Sequence, residues 1–323
     1  MPRTSLRATL FTAAAFLIGI ALFLYILRRV DLNALLAGIA AAGWGILWVS
    51  LYRLVTLFAH GMGWRALFPP NAAPRFSAWF RARWAGEAIN SLLPVAQVGG
   101  DVARAAMVAR YTSGPIAAAA TTADFTLGLI AQFVYTLLGV AILANTLGPG
   151  GRTSDFALGL VAAAVVLAAF WFAQKSNLLA RLAARAAKVG GEKWTALAGN
   201  VSAWSRETAA LYADRPRVLH AFAWRLAGWL LLTGETWLIL YFLGATPAWH
   251  GALMLESLSM AIRSAAFAIP AALGAQEGGI VLLAAAAGIS PETALALAVI
   301  KRIREIVVGI PGLLLWAAGT HKS

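Results

Sequence analysis

The sequence predicts an all-α, polytopic integral membrane protein: about six full spans plus two broken-helix re-entrant hairpins, in an inverted-repeat architecture. Three observations lead there. First, 61% of the 323 residues are hydrophobic, 12% are charged, and the mean hydropathy is +0.76. A soluble domain carries about twice that charged fraction, so the apolar excess must face lipid. Second, five stretches run without charge for about the length of a span: 8–27, 32–52, 125–151, 156–174 and 236–255. Third, Pro and Gly interrupt two apolar segments at matching places in the two halves of the chain.

Taken in order, the first stretch follows Arg3 and Arg7, as a signal peptide would. Its apolar run is too long for an h-region, and Arg28-Arg29 follows instead of a small-residue cleavage site. It therefore reads as a retained span. Apolar helices interrupted by charge are expected at 54–68, 77–93, 217–234, 257–269 and 292–319. Breaks fall at Pro69-Pro70, Pro94, Gly99-Gly100, Gly148 to Gly151, Pro270 and Pro311-Gly312. Complete spans are expected near 8–27, 43–66, 115–145, 156–174, 217–243 and 292–318. Segments 77–112 and 250–290 then enter and return on their own side.

Lys and Arg in short loops set orientation. Segment 175–217 holds eight basic residues against three acids and has helical apolar spacing, which suits an amphipathic linker along the inner leaflet. The stretch 65–83 has Arg65, Arg75, Arg81 and Arg83 and no acid. Both are expected in the cytoplasm, with both termini, while the nearly uncharged loops at 145–155 and 244–250 lie outside. The net charge of +13 is assigned to these loops and to anionic headgroups, not to nucleic acid.

The two returning segments resemble each other. The first reads "SLLPVAQVGGD" (91–101) and the second "IPAALGAQEGG" (269–279). A shift of 176 residues sets Pro94 on Pro270, Asp101 on Glu277, Pro115 on Pro291 and Glu87 against Arg263. The repeat halves run from about 77 to 145 and from about 253 to 319, within one transmembrane domain, 1–323. Pro94, Gly99 and Gly100, and then Pro270, Gly278 and Gly279, are the helix-break residues. A break frees backbone polar groups that lipid cannot satisfy, so it must be buried in protein or line a watery cavity. Paired breaks in the two halves of a chain point to a transporter site.

Seven acids lie in or beside apolar segments: Glu87, Asp101, Asp124, Glu235, Glu256, Glu277 and Glu305. Arg104, Arg263, Arg302 and Arg304 join them. Each costs about 2.5–3.5 kcal/mol at the middle of a membrane helix, so they must pair or face a cavity. Structural ion pairing accounts for any one of them; their concentration at two helix breaks favours a polar cavity. Asp124, Glu235 and Glu256 are weaker candidates, each readable as a lone protonated acid bonded to a neighbouring helix. Asn90 and Gln97 flank the first break, to read a headgroup or to cap a helix. The four histidines read as structural: His60 and His220 at helix ends, His250 in a turn, His321 in the tail.

Zero cysteines exclude disulfides, thiolate metal sites and Cys nucleophiles. There is no Walker A, HExxH or GxSxG sequence. No cofactor, no metal and no enzymatic activity are expected.

The runs "ARWAGEAINSLLPVAQVGGDVARAAMVAR" (82–110), "GAQEGG" (274–279) and "RIREIVVGIPGLLLW" (302–316) resemble the lysylphosphatidylglycerol synthase/flippase-like transmembrane family. The "NSLLPVAQVGGD" form is most similar to the branch encoded with hopanoid biosynthesis genes. The resemblance covers essentially the whole chain. It implies a multi-pass protein of the bacterial inner membrane, related to the flippase half of the multiple-peptide-resistance protein. Asn90, Pro94, Gly100, Asp101, Arg104, Gln276, Glu277, Gly278, Arg302 and Glu305 match the family's characteristic positions. The full synthase carries a soluble aminoacyl-transferase domain after its membrane region, whereas this chain stops at Ser323, so lysyl transfer is not implied. The expected function is lipid translocation among Glu87, Asn90, Asp101, Arg104, Arg263, Gln276, Glu277, Arg302 and Glu305. The expected partners are a membrane lipid (a hopanoid or an anionic phospholipid) and other hopanoid biosynthesis or transport proteins. The alternative is an embedded enzyme or accessory subunit of hopanoid side-chain synthesis.

Overall fold

The structure is a computed structural model. It describes residues 25, 28, 32–93, 99–147, 192–245, 247–266, 269 and 272–320. The expected span at 8–27 apart from Tyr25, the expected span at 156–174, the 175–191 stretch, Pro94, Gln97, Pro270 and His321 lie outside the described residues.

Among the described residues the regular structure is all helical. In chain order the helices are α1 (Leu32–Ala42), α2 (Gly45–Ala66), α3 (Phe76–Leu92), α4 (Gly99–Ala109) and α5 (Gly114–Leu147). Then come α6 (Glu192–Ala213), α7 (Arg215–Phe242), α8 (Trp249–Ala265), α9 (Ala275–Ala284) and α10 (Pro291–Thr320). Two of them, Gly45–Ala66 and Gly114–Thr146, are long and apolar enough to cross a membrane. Helices α7 and α10, of 28 and 30 residues, exceed the ~20-residue span length and bury Arg225, Glu235, Lys301, Arg304 and Glu305 against other helices.

Local chemistry sets the ends. Gly43, at φ 43°, turns the chain between α1 and α2. Leu93 precedes a proline and is accordingly extended, at φ −108° and ψ 148°, which stops α3. Asp214 caps α7 by accepting from the Arg217 N–H at 3.2 Å, with Pro216 in the first turn. Ser290 caps α10 by accepting from the Thr293 N–H at 3.2 Å, and Pro291 takes the first helical position.

The helix starts keep to the 176-residue spacing within one residue: α4 begins at Gly99 and α9 at Ala275, 176 apart, and α5 at Gly114 and α10 at Pro291, 177 apart. Packing is reciprocal. Helix α3 lies on α10, and α8 lies on α5. Trp84 Nε1 donates to the Val308 carbonyl at 2.7 Å, and Gln132 Nε2 donates to the Met260 carbonyl at 3.2 Å. Adding 176 to 84 and to 132 gives 260 and 308, so the shift exchanges these two pairs.

The pair α2 and α7 sits at the centre and extends the correspondence beyond the expected repeat. Gly45 abuts Phe242, Tyr52 donates to the Leu231 carbonyl, Gly228 faces His60, and Gly63 faces Ala221. The two helices therefore run antiparallel. Two apolar cores close their ends. One gathers Val49, Ile239, Leu240, Leu255 and Ile280; the other gathers Trp64, Trp79, Val108, Leu127 and Ala221. Arg53 of α2 and Arg225 and Glu235 of α7 lie between the two cores.

The glycines have a different role from the one expected of them. Gly278 and Gly279 lie inside α9, and Gly100 lies in the first turn of α4. A Cβ at Gly100 would meet the Gly86 carbonyl oxygen at 1.9 Å, and one at Gly279 would meet Ile262 at 2.6 Å. Gly100 and Gly279 therefore let each short helix press against the helix before it, as small residues do in membrane packing.

Candidate functional site

Between the two apolar cores lies a cavity of about 410 Å³. That is room for about a dozen waters or a small headgroup. Helix α2 contributes Arg53 and His60; α3 contributes Arg83, Glu87 and Asn90; α4 contributes Asp101 and Arg104. Helix α7 adds Arg225, α8 adds Glu256 and Arg263, and α10 adds Arg304 and Glu305. The apolar walls include Phe125, Leu129, Trp229 and Met260.

Two ion networks meet across this space. In the first, Arg104 Nη2 lies 2.6 Å from Asp101 and its Nη1 lies 2.7 Å from Asp124. Its guanidinium also stacks 4.6 Å over the Trp64 ring. Asp124 is fully buried, with Arg225 at 3.5 Å and Arg83 at 3.8 Å. In the second, Arg263 donates to Glu305 at 2.5 Å and to Gln276 at 2.8 Å. Arg302 donates to Glu277 at 2.7 Å and to the other oxygen of Glu305 at 2.9 Å. Arg304 bonds Glu235, while Lys301 and Thr236 both donate to Glu256.

Arg53 and Glu87 join the two networks. Arg53 donates to Glu87 at 2.5 Å and lies 3.6 Å from Glu235. Glu87 in turn lies 3.5 Å from Arg83. The repeat-related partners of the sequence, Glu87 and Arg263, thus face the same cavity from α3 and α8.

Of the residues expected at the site, Glu87, Asn90, Asp101, Arg104, Arg263 and Glu305 line the cavity. Gln276 and Arg302 stand behind the wall and anchor Arg263 and Glu305, which line it, while Glu277 in turn holds Arg302. Asn90 also caps α4, accepting from the Gly100 N–H at 2.7 Å. Asp124, Glu235 and Glu256 are not lone acids: each is paired with a cation from another helix. His60 is not at a helix end. It lies within α2, is buried on the cavity wall, and its Nδ1 sits 3.3 Å from Arg225.

Arg53, Arg83, Arg225 and Lys301 join the site in addition to the expected residues. The signal was present for Arg53 and Arg225, because an arginine inside an apolar helix is a site candidate by default. Arg83 was grouped with a cytoplasmic basic stretch, yet it is 9% exposed.

This is a helical membrane protein that encloses a charged, partly apolar cavity. Its sequence matches the family described as the lysylphosphatidylglycerol synthase TM region over residues 12–312, and the chain belongs to that family. Membership makes it an integral membrane protein with a lipid-related role. No curated protein and no solved structure matches the chain.

Proposed function

We propose that this chain is a lipid translocase of the bacterial inner membrane, moving a lipid headgroup through the charged cavity while the apolar body stays in the bilayer. The observation that carries the reading is the cavity itself, at the junction of two halves related by a 176-residue shift. The antiparallel α2 and α7 and the exchanged pairs Trp84–Val308 and Gln132–Met260 support an inverted repeat. In such a repeat the site lies where the halves meet.

Translocation is favoured over catalysis because each carboxylate on the cavity wall is ion-paired. A general acid or base needs a proton that it can exchange with a substrate. The similarity to the hopanoid-associated branch supplies the first candidate lipid, a hopanoid, and the other proteins of that synthesis as candidate partners. The basic linker at 175–217 and the termini are assigned to the cytoplasm.

The test is leaflet exchange of labelled lipids in liposomes containing the purified chain. Faster exchange than in protein-free liposomes, with the lipid chemically unchanged, supports the reading. A changed lipid product without exchange would transfer the cavity to the enzyme alternative.

A further inference from the structure

The cavity walls do not balance in charge. Arg53, Arg83, Arg104, Arg225, Arg263 and Arg304 line the cavity against Glu87, Asp101, Glu256 and Glu305, six cations to four acids. Groups behind the wall redress only part of this. Arg53, Arg263, Lys301, Arg302 and Arg304 meet Glu87, Glu235, Glu256, Glu277 and Glu305, five against five. Arg83, Arg104 and Arg225 share Asp101 and Asp124, three against two, and the Glu87 that Arg83 also approaches, at 3.5 Å, is already matched by Arg53 at 2.5 Å. Among the described residues one positive charge is left over, on the side of the cavity where α3, α4 and α7 face α5.

That excess is held in a built position. Asp124 is bonded loosely by two of its three arginines, since 3.8 Å to Arg83 and 3.5 Å to Arg225 exceed an ordinary charged hydrogen bond. Arg225 has, besides Asp124, the ring nitrogen of His60 at 3.3 Å. Arg83 and Arg225 are 9% and 8% exposed, and both line the cavity. Gly128 makes room for Arg225: a Cβ there would meet its Nη2 at 1.9 Å. Asn90 lines the same space, and its amide hydrogens have no partner among the described residues.

We infer that this side of the cavity is a seat for a phosphodiester, and that the protein selects anionic headgroups over neutral and cationic ones. The inference rests on the lipid-handling reading above, names the headgroup class, and moves the cargo from a hopanoid, whose polyol headgroup has no phosphodiester, to an anionic phospholipid. A buried charge without a counter-charge is unfavourable, and a phosphodiester carries the one negative charge that the seat lacks. Guanidinium forks present paired N–H groups that match phosphate oxygens. The same chemistry serves a lipid phosphodiester or a free phosphate.

The test titrates the purified full chain with three short-chain diacyl lipids: phosphatidylglycerol, an uncharged galactolipid and a cationic trimethylammonium lipid. Phosphatidylglycerol is expected to bind at least ten-fold more tightly than the other two. Inorganic phosphate is the competitor. If it displaces phosphatidylglycerol at equal concentration, the ligand is the free ion; if it requires a large excess, the ligand is the lipid headgroup. Arg225→Gln should weaken phosphatidylglycerol binding about ten-fold, and Arg225→Lys should recover most of it. Asp101→Asn removes a wall carboxylate and should tighten anion binding, a change of opposite sign that loss of structure cannot produce. Equal binding of the three lipids, or parallel weakening by Arg225→Gln and Asp101→Asn, would overturn the seat. Selective binding without leaflet exchange would keep the seat and remove the translocase; exchange without selectivity would do the reverse.

Discussion

Asp101 and Glu277 occupy matching places in the two halves, but their surroundings differ. Asp101 lines the cavity with its side chain 16% exposed, whereas the Glu277 side chain is 2% exposed and pairs with Arg302 behind the wall. Removing one partner of a buried pair leaves the other charge stranded, at about 3–5 kcal/mol. Glu277→Gln should therefore act mainly on stability, seen as an earlier thermal unfolding in detergent. Asp101→Asn should unfold close to wild type, because cavity water and Asp124 still serve Arg104, and should instead slow leaflet exchange. The reverse pattern would exchange their roles. Arg53→Met is expected to be among the most damaging single changes, since it strips Glu87 of its shortest bond and leaves Glu235 to Arg304 alone. A loss of about 3 kcal/mol, at the low end for a broken buried pair, should show in the same unfolding measurement. At this scale the acids were legible, because an acid in an apolar helix stands out. Their arginine partners were less so: Arg83 belongs to a run whose neighbours suit a cytoplasmic loop, and only three-dimensional packing separates it from them.

The short helix α4 depends on close backbone approach to the helix before it, whereas α9 makes room at Gly279 for the Ile262 side chain. Gly86 and Gly100 face each other across α3 and α4, and a Cβ on either would come within 2.7 Å of the other's carbonyl oxygen. Backbone cannot move aside as a flexible side chain can, so Gly100→Ala should separate α4 from α3 and displace Asp101 and Arg104 from the cavity. We expect a lowered thermal midpoint together with lost leaflet exchange. Gly114→Ala is the matched control: a Cβ there meets nothing within 4 Å. It should be neutral or stabilising, by about 0.5–1 kcal/mol. The proline–glycine punctuation of the sequence falls just before both short helices, and at the first of them Pro94 ends the preceding helix. It gave the wrong reason for Gly278 and Gly279, since a glycine that breaks a helix and a glycine that lets two helices touch are identical in one dimension. The boundary between α1 and α2 at Gly43 fell inside an uninterrupted apolar stretch, so nothing in its polarity marked it.

Across the whole molecule, the antiparallel contact of α2 with α7 has a consequence for the membrane. In the proposed inverted repeat the two-fold axis that exchanges these antiparallel helices lies across them, so equivalent loops of the two halves would emerge on opposite faces of the bilayer. The connection between α4 and α5 contains Ser113, and the one between α9 and α10 contains Ser290; both residues are exposed. Loop charge assigns the first to the cytoplasm, beside Arg110, and the second to the periplasm. The chain has no native cysteine, so Ser113→Cys and Ser290→Cys each create a single thiol with minimal change. In intact cells a membrane-impermeant maleimide should label position 290 and spare 113; in inside-out vesicles it should label 113 and spare 290. Labelling of both from one side would mean parallel halves. The cavity would then lack a two-fold axis in the membrane plane, and alternating exposure by rocking one half against the other would lose its geometric basis. A swap of the two sides would retain the inverted halves and reverse only the orientation drawn from loop charge. The experiment thus separates a consequence of helix packing from one of charge bias.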